Sequence, residues 1–388
     1  MDKKSNKKRL YFLIFAEILL ISCLVLLLVF GLKLPRIKNI GNPLAIDFKD
    51  ELYLSRTSAD LTVFDGKLFI GGGDYDKNTG PVYVHSYDVS SGEWKKSAEP
   101  LPDEQIKRFV IIDKELYATG TDPKDDWEKG NFYRYENGEF VTYRVLDGAI
   151  HNFDIVKFED KLFFALGVAE NTSPVIVFEN EEYSPVPFLK DGAPLDTTGF
   201  ETVRVYNFLV FDGKLYAFLS LGDEKEALMD LYVYENGAFS HLFGSLPSVD
   251  MTETLELGGM AFLLMGYNLF STEDLVSFES VPLGAPVLDV YPYGNGFFAL
   301  CSAKKGESST SETKLNDFEA NSTTHSGNLY KNTIFFTTDG KTFDEVVSFE
   351  TAEIASSLAF DGSVFFTSLG GYDSSFSENV GTILLIKP

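Results

Sequence analysis

VFDGKLFIGGGDYDKNTGPVYVHSYDVSSGEW, residues 63–94, decides the fold. Asp65-Gly66 sits between two apolar runs, and an Asp-Gly pair in that setting closes a two-residue β-hairpin. Gly71-Gly72-Gly73 ends the second run and opens a polar loop. Residues 82–87 read as a third strand, and Trp94 begins a fourth. The stretch is therefore one unit of four sequential antiparallel strands.

Degenerate copies of the unit follow to the end of the chain. The second strand of each begins at Lys67, Glu115, Lys161, Lys214, Met260, Gly296 and Ser363, with spacings of 48, 46, 53, 46, 36 and 67 residues. Before each lies an apolar run and a turn: VFDG, IIDK, KFED, VFDG, ELGG, YGN and AFDG. After most comes a second hairpin with an aromatic residue on its far side, as in Tyr87 and Trp94, Tyr135 and Phe140, Phe178 and Tyr183, and Tyr234 and Phe239. Four-stranded units at a period of 40–50 residues are the signature of a β-propeller. The expected fold is all-β: a seven-bladed β-propeller closed by an N-terminal strand and preceded by one transmembrane helix. Blades are expected near 56–101, 102–148, 149–201, 202–248, 249–284, 285–352 and 353–388. The last copy has only three strands, at 354–360, 363–369 and 382–387, so the unpaired segment 46–55 is expected to supply its fourth. Such closure removes an exposed sheet edge. Residues 304–328, rich in Ser, Thr, Glu and Lys, are expected to form a loop inside the sixth copy.

Composition agrees with a β-rich chain. Of 388 residues 44% are hydrophobic, and 35 Phe and 19 Tyr supply residues that suit pleated, half-buried surfaces. Cys23 and Cys301 are the only cysteines, and no metal-thiolate spacing exists. The chain has 33 basic and 58 acidic residues. Eight basic and two acidic ones lie in residues 1–38, which leaves 25 against 56 in the remainder. A domain so acidic is not built to neutralise phosphates, so no nucleic acid is expected as a partner.

The N-terminus predicts a membrane tether. Residues 1–10 form a basic cytoplasmic tail, and 11–32 (YFLIFAEILLISCLVLLLVFGL) are long enough to cross a hydrocarbon core of about 30 Å. The only charge in that run is Glu17, six residues after Tyr11. Basic residues concentrated before the span keep the N-terminus inside and export the remainder of the chain. The expected localisation is a single-pass signal-anchor with the propeller at the cell surface, joined by a linker at 33–45. The alternative is a lipoprotein, since Leu20-Ile21-Ser22-Cys23 is similar to a lipobox.

At the level of motifs the first unit resembles a kelch repeat of the galactose-oxidase type: a glycine run at Gly71–Gly73, then Tyr87-Asp88, then Trp94. The second to fourth copies lack the double glycine and shorten the spacing between the aromatics to five. Phe335-Phe336-Thr337-Thr338-Asp339-Gly340-Lys341-Thr342-Phe343 is similar to the Asp-box hairpin of sialidase-like propellers, and Ser271-Thr272-Glu273-Asp274-Leu275 resembles a hairpin of propeller glycosidases. The resemblance implies the propeller architecture over residues 46–388 and brings no active site with it.

Propellers bind at the channel mouth, so the inner strands carry the candidate site. Aligned on their closing turns, they place Asp60, Arg108, Asp154, Asn207, Glu253, Asp289 and Ser356 at one register, all polar. A ring of these seven residues is expected to line the channel, either as a hydrated lining or as a site for a cation or polar ligand. The mouth loops add Tyr75, Trp127 and Tyr372 beside acidic residues, a pattern suited to stacking on a sugar face. Asp74-Tyr75-Asp76-Lys77-Asn78-Thr79-Gly80 is similar to a calcium loop, but its glycine comes one position late and the distal glutamate is absent. No cofactor is expected, and calcium is the candidate that this loop leaves open. No metal-binding or catalytic residue is assigned. The histidines His85, His151, His241 and His325 are scattered, and no nucleophile elbow or phosphate loop appears. A sialidase-like arginine triad is met only by Arg108, with Arg204 close by in register. The expected function is a membrane-anchored binding module for a glycan, cation or envelope protein. A glycosidase or polysaccharide lyase using mouth carboxylates is the alternative.

Overall fold

The computed structural model describes residues 35–48, 56–58, 60–74, 77–125, 128–222, 228–247, 251–305, 329–370 and 378–388. The expected membrane span 11–32, most of the loop 304–328, and the aromatics Tyr75, Trp127 and Tyr372 lie outside the described residues. Among the described residues no helix is long and apolar enough to cross a membrane. The chain divides into two compact units, of which the larger is Ile37–Lys387.

This larger unit is all-β apart from one helical turn. Among the described residues seven inner strands stand first in their copies: Asp60–Phe64, Asp103–Ile112, Ala149–Phe158, Val203–Phe211, Met251–Leu257, Val287–Tyr293 and Ala355–Phe360. Each pairs antiparallel with the strand that succeeds it. Each inner strand also packs beside the next, and the last packs against the first, so their order is cyclic. The second, third and fourth copies are joined into one sheet by His151 opposite Thr121 and by Gly167 and Val168 opposite Arg204 and Val203.

Turn chemistry explains why the strand starts are readable. The expected starts at Lys67, Glu115, Lys161, Lys214, Met260 and Gly296 are the observed ones. Asp65-Gly66, Asp113-Lys114, Glu159-Asp160, Asp212-Gly213 and Gly258-Gly259 all hold two consecutive positive φ angles. Their twist matches that of paired strands. The seventh copy differs. Asp361 N–H bonds to Val364 O, so the turn is Gly362-Ser363 and the second strand is Phe365–Leu369, two residues later than expected. The outer hairpins place Tyr87 opposite Trp94, Tyr135 opposite Phe140, Phe178 opposite Tyr183 and Tyr234 opposite Phe239. The core lies between sheet faces, where Phe69, Phe163, Phe164, Phe218, Phe262, Phe297, Phe365 and Phe366 are fully buried. The high phenylalanine content goes into these interfaces, each ring removing a large apolar area from water.

The closing strand is not the expected one. The sheet of the seventh copy has the order Arg36–Gly41, Ile383–Lys387, Phe365–Leu369, Ala355–Phe360. The fourth strand thus comes from the segment expected to be linker. Residues 46 and 47 instead belong to the helical turn Leu44–Asp47, and 49–55 lie outside the described residues. Side chains distant in sequence make the difference. Asn42 Nδ2 donates to Val380 O at 2.7 Å, and Trp94 Nε1 donates to Ile40 O at 2.6 Å. Leu44 is buried against Gly72, where a Cβ would come within 2.8 Å of the leucine. Asp47 meets His85 Nε2 and Lys96 Nζ, each at 2.6 Å. Burial works against the Asp47 charge, but these two partners hold its carboxyl below the usual range. The alternation in 46–55 resembles a strand because local pattern carries no information about Asp47's ion pairs.

Candidate functional site

The inner strands bring five of the seven expected ring residues together. Arg108, on the second strand, reaches Glu253 on the fifth, which is not its neighbour in the cyclic order; their side chains bond directly. The same guanidinium lies 3.5 Å from Asp154 Oδ1 and donates to Thr252 O at 3.4 Å. Arg108 therefore spans the interior of the ring. Its side chain is 16% exposed and that of Glu253 22%. The charges of Asp60 and Asp289 also reach this cluster.

The aspartates have a second task. Asp60 accepts the N–H of Phe109 at 2.6 Å, Asp154 that of Phe208 at 3.0 Å, and Asp289 that of Leu358 at 2.6 Å. In each case the carboxylate of one inner strand takes a backbone donor of the next. Three of the inter-strand junctions are tied this way. Thr254 makes a fourth tie by donating its hydroxyl to Phe208 O. Charge-assisted bonds of this kind are strong and leave the carboxylate oxygens occupied.

Asn207 meets the cluster only through Thr252 O, the acceptor it shares with Arg108, and Ser356 bonds within its own sheet. Asn207 Nδ2 donates to Thr252 O at 3.4 Å. Ser356 Oγ shares a hydrogen bond of 2.9 Å with Ser368 of its own sheet. The register in the seventh copy is off by one, because its turn closes one residue later. Ser357, opposite Ser368, occupies the position that Arg108, opposite Thr119, holds in the second copy. In the loop 74–80 that is similar to a calcium loop, Asp74 N–H donates to Thr79 Oγ1 at 2.9 Å, and the Lys77 and Thr79 N–H groups both donate to Asp74 O. Asp76 lies outside the described residues. Among the described residues no group of three or more His, Cys, Asp or Glu side chains is placed to hold a metal ion.

Four carboxyl groups around one guanidinium cannot all be ionised cheaply. Burial pushes Glu253 up to about 8 against the pull of Arg108, and the charges of Asp60 and Asp154 add to the rise. Burial likewise lifts Asp60 to about 6, although Phe109 N–H and Arg108 favour its charge. Asp289 is raised well above its ordinary value by burial and by the Glu253 and Asp60 charges. Arg108 loses by burial, but Asp154, Glu253, Asp60 and Asp289 outweigh this and hold its proton more tightly than usual.

These raised values fix the sign of the pH dependence. Glu253 binds its proton more tightly folded than unfolded, so its contribution is complete below about pH 4.5 and is lost as pH rises through about 8. The melting temperature should therefore fall between pH 5 and pH 8.5. The loss is on the order of 2–4 kcal/mol, given about 1.4 kcal/mol for each tenfold difference in proton affinity. Glu253→Gln, which mimics the protonated form, should flatten that fall. Equal pH slopes for the wild type and Glu253→Gln would show that Glu253 is not held protonated.

A second layer lies outside the reach of sequence reasoning. The inner strands carry β-bulges at or just before the ring position: the register shifts between Ile106 and Arg108, Asn152 and Asp154, Val205 and Phe208, Met251 and Glu253, Val287 and Asp289, and Ala355 and Ser357. A bulge sets two residues against one and re-aims a side chain, so strict alternation does not find the extra residue.

No family model matches the chain, and no curated protein matches it. Solved structures do. Selenomethionine-substituted virginiamycin B lyase from Staphylococcus aureus is similar at a TM-score of 0.52 and 11% identity, over 91% of this chain and 99% of that one. The fold is a β-propeller. A catalytically inactive variant of the same lyase with quinupristin matches at 0.49 and 11% identity, covering 91% and 99%. The endosialidase of phage phi92 matches at 0.44 and 9% identity, over 91% of this chain and 68% of that one. At such identities the likeness concerns the propeller alone.

Proposed function

We propose that the chain is a membrane-anchored, extracytoplasmic propeller of seven blades that serves as a binding module, taking a glycan or an envelope protein at its mouth. The cyclic order of the seven inner strands supports the blade count. The run 11–32 with its basic flank supports the anchor. The observation that carries the binding reading is the Arg108–Glu253 bond across the ring. It crosses the interior of the ring and gives it a charged floor. The ring aspartates already accept backbone N–H groups, which favours a ligand resting on the floor over a cation within it.

A second reading has one specific support. A carboxyl that keeps its proton to about pH 8, as Glu253 does, meets a requirement for a general acid. With another mouth carboxylate it would act in a glycosidase or polysaccharide lyase.

Spheroplasts displaying the full chain should bind fluorescent oligosaccharides from a broad glycan panel, and external protease without lysis should abolish binding. The recovered oligosaccharides should be intact. Shortened or unsaturated products would establish the enzymatic reading, and binding that resists external protease would overturn the topology.

A further inference from the structure

Two outer turns, 272–278 in the fifth copy and 337–343 in the sixth, are built alike. Thr272 Oγ1 accepts Leu275 N–H at 2.9 Å, and Asp274 Oδ1 accepts the Val276 and Ser277 N–H groups at 2.8 Å each. Thr337 Oγ1 accepts Gly340 N–H at 2.8 Å, and Asp339 Oδ1 accepts those of Lys341 and Thr342 at 2.8 and 2.7 Å. The turns differ at one inward position. Leu275 is buried and fills the contact between the fourth and fifth copies. Gly340 has no side chain, and its turn lies directly on Met260 and Phe262; a Cβ there would come within 2.7 Å of Met260 Cε.

A groove of about 730 Å³ opens at this second turn, between the fifth and sixth copies. Ordinary ligand sites enclose roughly 300–1,000 Å³. It opens because the outermost strand of the fifth copy is Glu279–Ser280 alone, whereas that of the sixth is Asp344–Thr351. The groove is distinct from the Arg108 floor. Glu253 lies near the start of its inner strand, Met251–Leu257, and the groove lies past its end, where a Cβ on Gly258 would be 3.8 Å from Asp339 O. Inside, the lining is apolar: Met260, Val281, Leu283, Phe335 and Phe343 belong to the cluster shared by the two copies or pack against it. The exposed lining is acidic, with Glu273, Asp274 and Glu279 against Lys341 alone. Lys341 Nζ is 3.8 Å from Glu273. The Ser277 and Val276 N–H groups hold the Asp274 carboxyl below its usual range, so it stays charged. Glu279 has no hydrogen-bond or ion-pair partner among the described residues.

Three carboxylates against one ammonium favour a cation, and the apolar interior favours hydrocarbon beside it. A second copy of this chain, with 58 acidic and 33 basic residues, brings the wrong sign, as does any polyanion. A neutral glycan leaves the charge unanswered. Glu279–Ser280 ends its sheet, so its outer edge offers backbone groups to an extended chain. We propose that this groove binds an extended basic segment of another protein, with a Lys or Arg against Glu279 and a neighbouring apolar side chain on Leu283 and Phe343. The site is separate from the mouth and independent of what binds there.

The test selects phage-displayed random heptapeptides on the purified full chain, in detergent at low ionic strength, and measures the recovered peptide by calorimetry. Recovered sequences should place Lys or Arg beside an apolar residue. Glu279→Lys should weaken the peptide about tenfold or more, and Lys341→Gln should tighten it about threefold. Ser280→Trp, which narrows the groove without changing its charge, should also weaken it about tenfold. All three side chains are exposed, so melting temperatures should not change. Glu182→Lys, an exposed change in the third copy, should leave binding as it is. A loss with Glu182→Lys equal to that with Glu279→Lys would reduce the binding to general attraction by an acidic surface and overturn the site. Recovery of no basic peptide, or full binding by both Glu279→Lys and Ser280→Trp, would overturn it as well. Spermine competing as tightly as the peptide would show that charge alone is read and overturn the peptide assignment. A dimer in sedimentation that Glu279→Lys disperses would make a second copy the occupant and overturn it too.

Discussion

Arg108→Ala should cost about 3–5 kcal/mol of stability at pH 8, the range expected when one partner of a buried charge pair is removed. The reason is that Arg108 answers several carboxylates at once. Glu253 and Asp154 lie within reach of its guanidinium, and Asp60 and Asp289 feel its charge or that of Glu253. Without it these groups must take up protons or remain as buried anions. Since protons are available in acid, the cost should be smaller at pH 5. Arg108→Lys should recover only part of the loss, because an ammonium cannot make the forked contacts to Glu253, Asp154 and Thr252 O together. Urea denaturation at both pH values measures this. A loss below about 1 kcal/mol at pH 8 would mean that the cluster is solvated and carries little energy.

The second large effect concerns closure. A chain beginning at Leu44 lacks Arg36–Gly41, and with it the partner of Ile383–Lys387, the acceptor of the Trp94 indole and the Asn42 bond to Val380. The loss of a strand's backbone pairing and apolar contact should amount to about 3–5 kcal/mol relative to a chain beginning at residue 35. Ile383–Lys387 would then be an edge strand, so the shorter chain should also self-associate. The urea midpoint and sedimentation report both. Equal midpoints and a monomeric short chain would contradict a ring closed by Arg36–Gly41.

Much of the architecture is legible in the turns. Asp65-Gly66 and Asp212-Gly213 announce themselves, and once their spacing is known even Glu159-Asp160 falls into place as the same left-handed pair. The closing strand is hidden because local pattern lacks the information that decides it. The segment 46–55 alternates like a strand, whereas Arg36–Gly41 is basic, short and followed by Pro43, and so reads as linker. Its pairing depends on Trp94 and Val380, far away in sequence. The ring position is visible as a column of polar residues, and Asp60, Arg108, Asp154, Glu253 and Asp289 do gather. Their donors are not visible, because Phe109, Phe208 and Leu358 contribute backbone N–H groups from the neighbouring strand, and any side chain would serve there. Ser356 falls one residue early because Asp361-Gly362 resembles Asp65-Gly66 but closes its hairpin differently. Lys107, Phe153 and Tyr206, each just before a ring position, escape for a related reason: a bulge breaks the alternation on which the inward face is counted.

The central claim is that the second and fifth inner strands face one another inside a closed ring and are joined by the direct side-chain bond between Arg108 and Glu253. A double-mutant cycle on stability, with Arg108→Ala, Glu253→Ala and the double variant at pH 8, tests it most directly. Residues 145 apart in sequence have no reason to couple unless the fold brings them together. A coupling energy of about 2 kcal/mol or more is predicted, since residues sharing a buried ionic network are strongly non-additive. Additivity to within about 0.5 kcal/mol would contradict the bond across the ring, and with it the charged floor on which the proposed ligand rests.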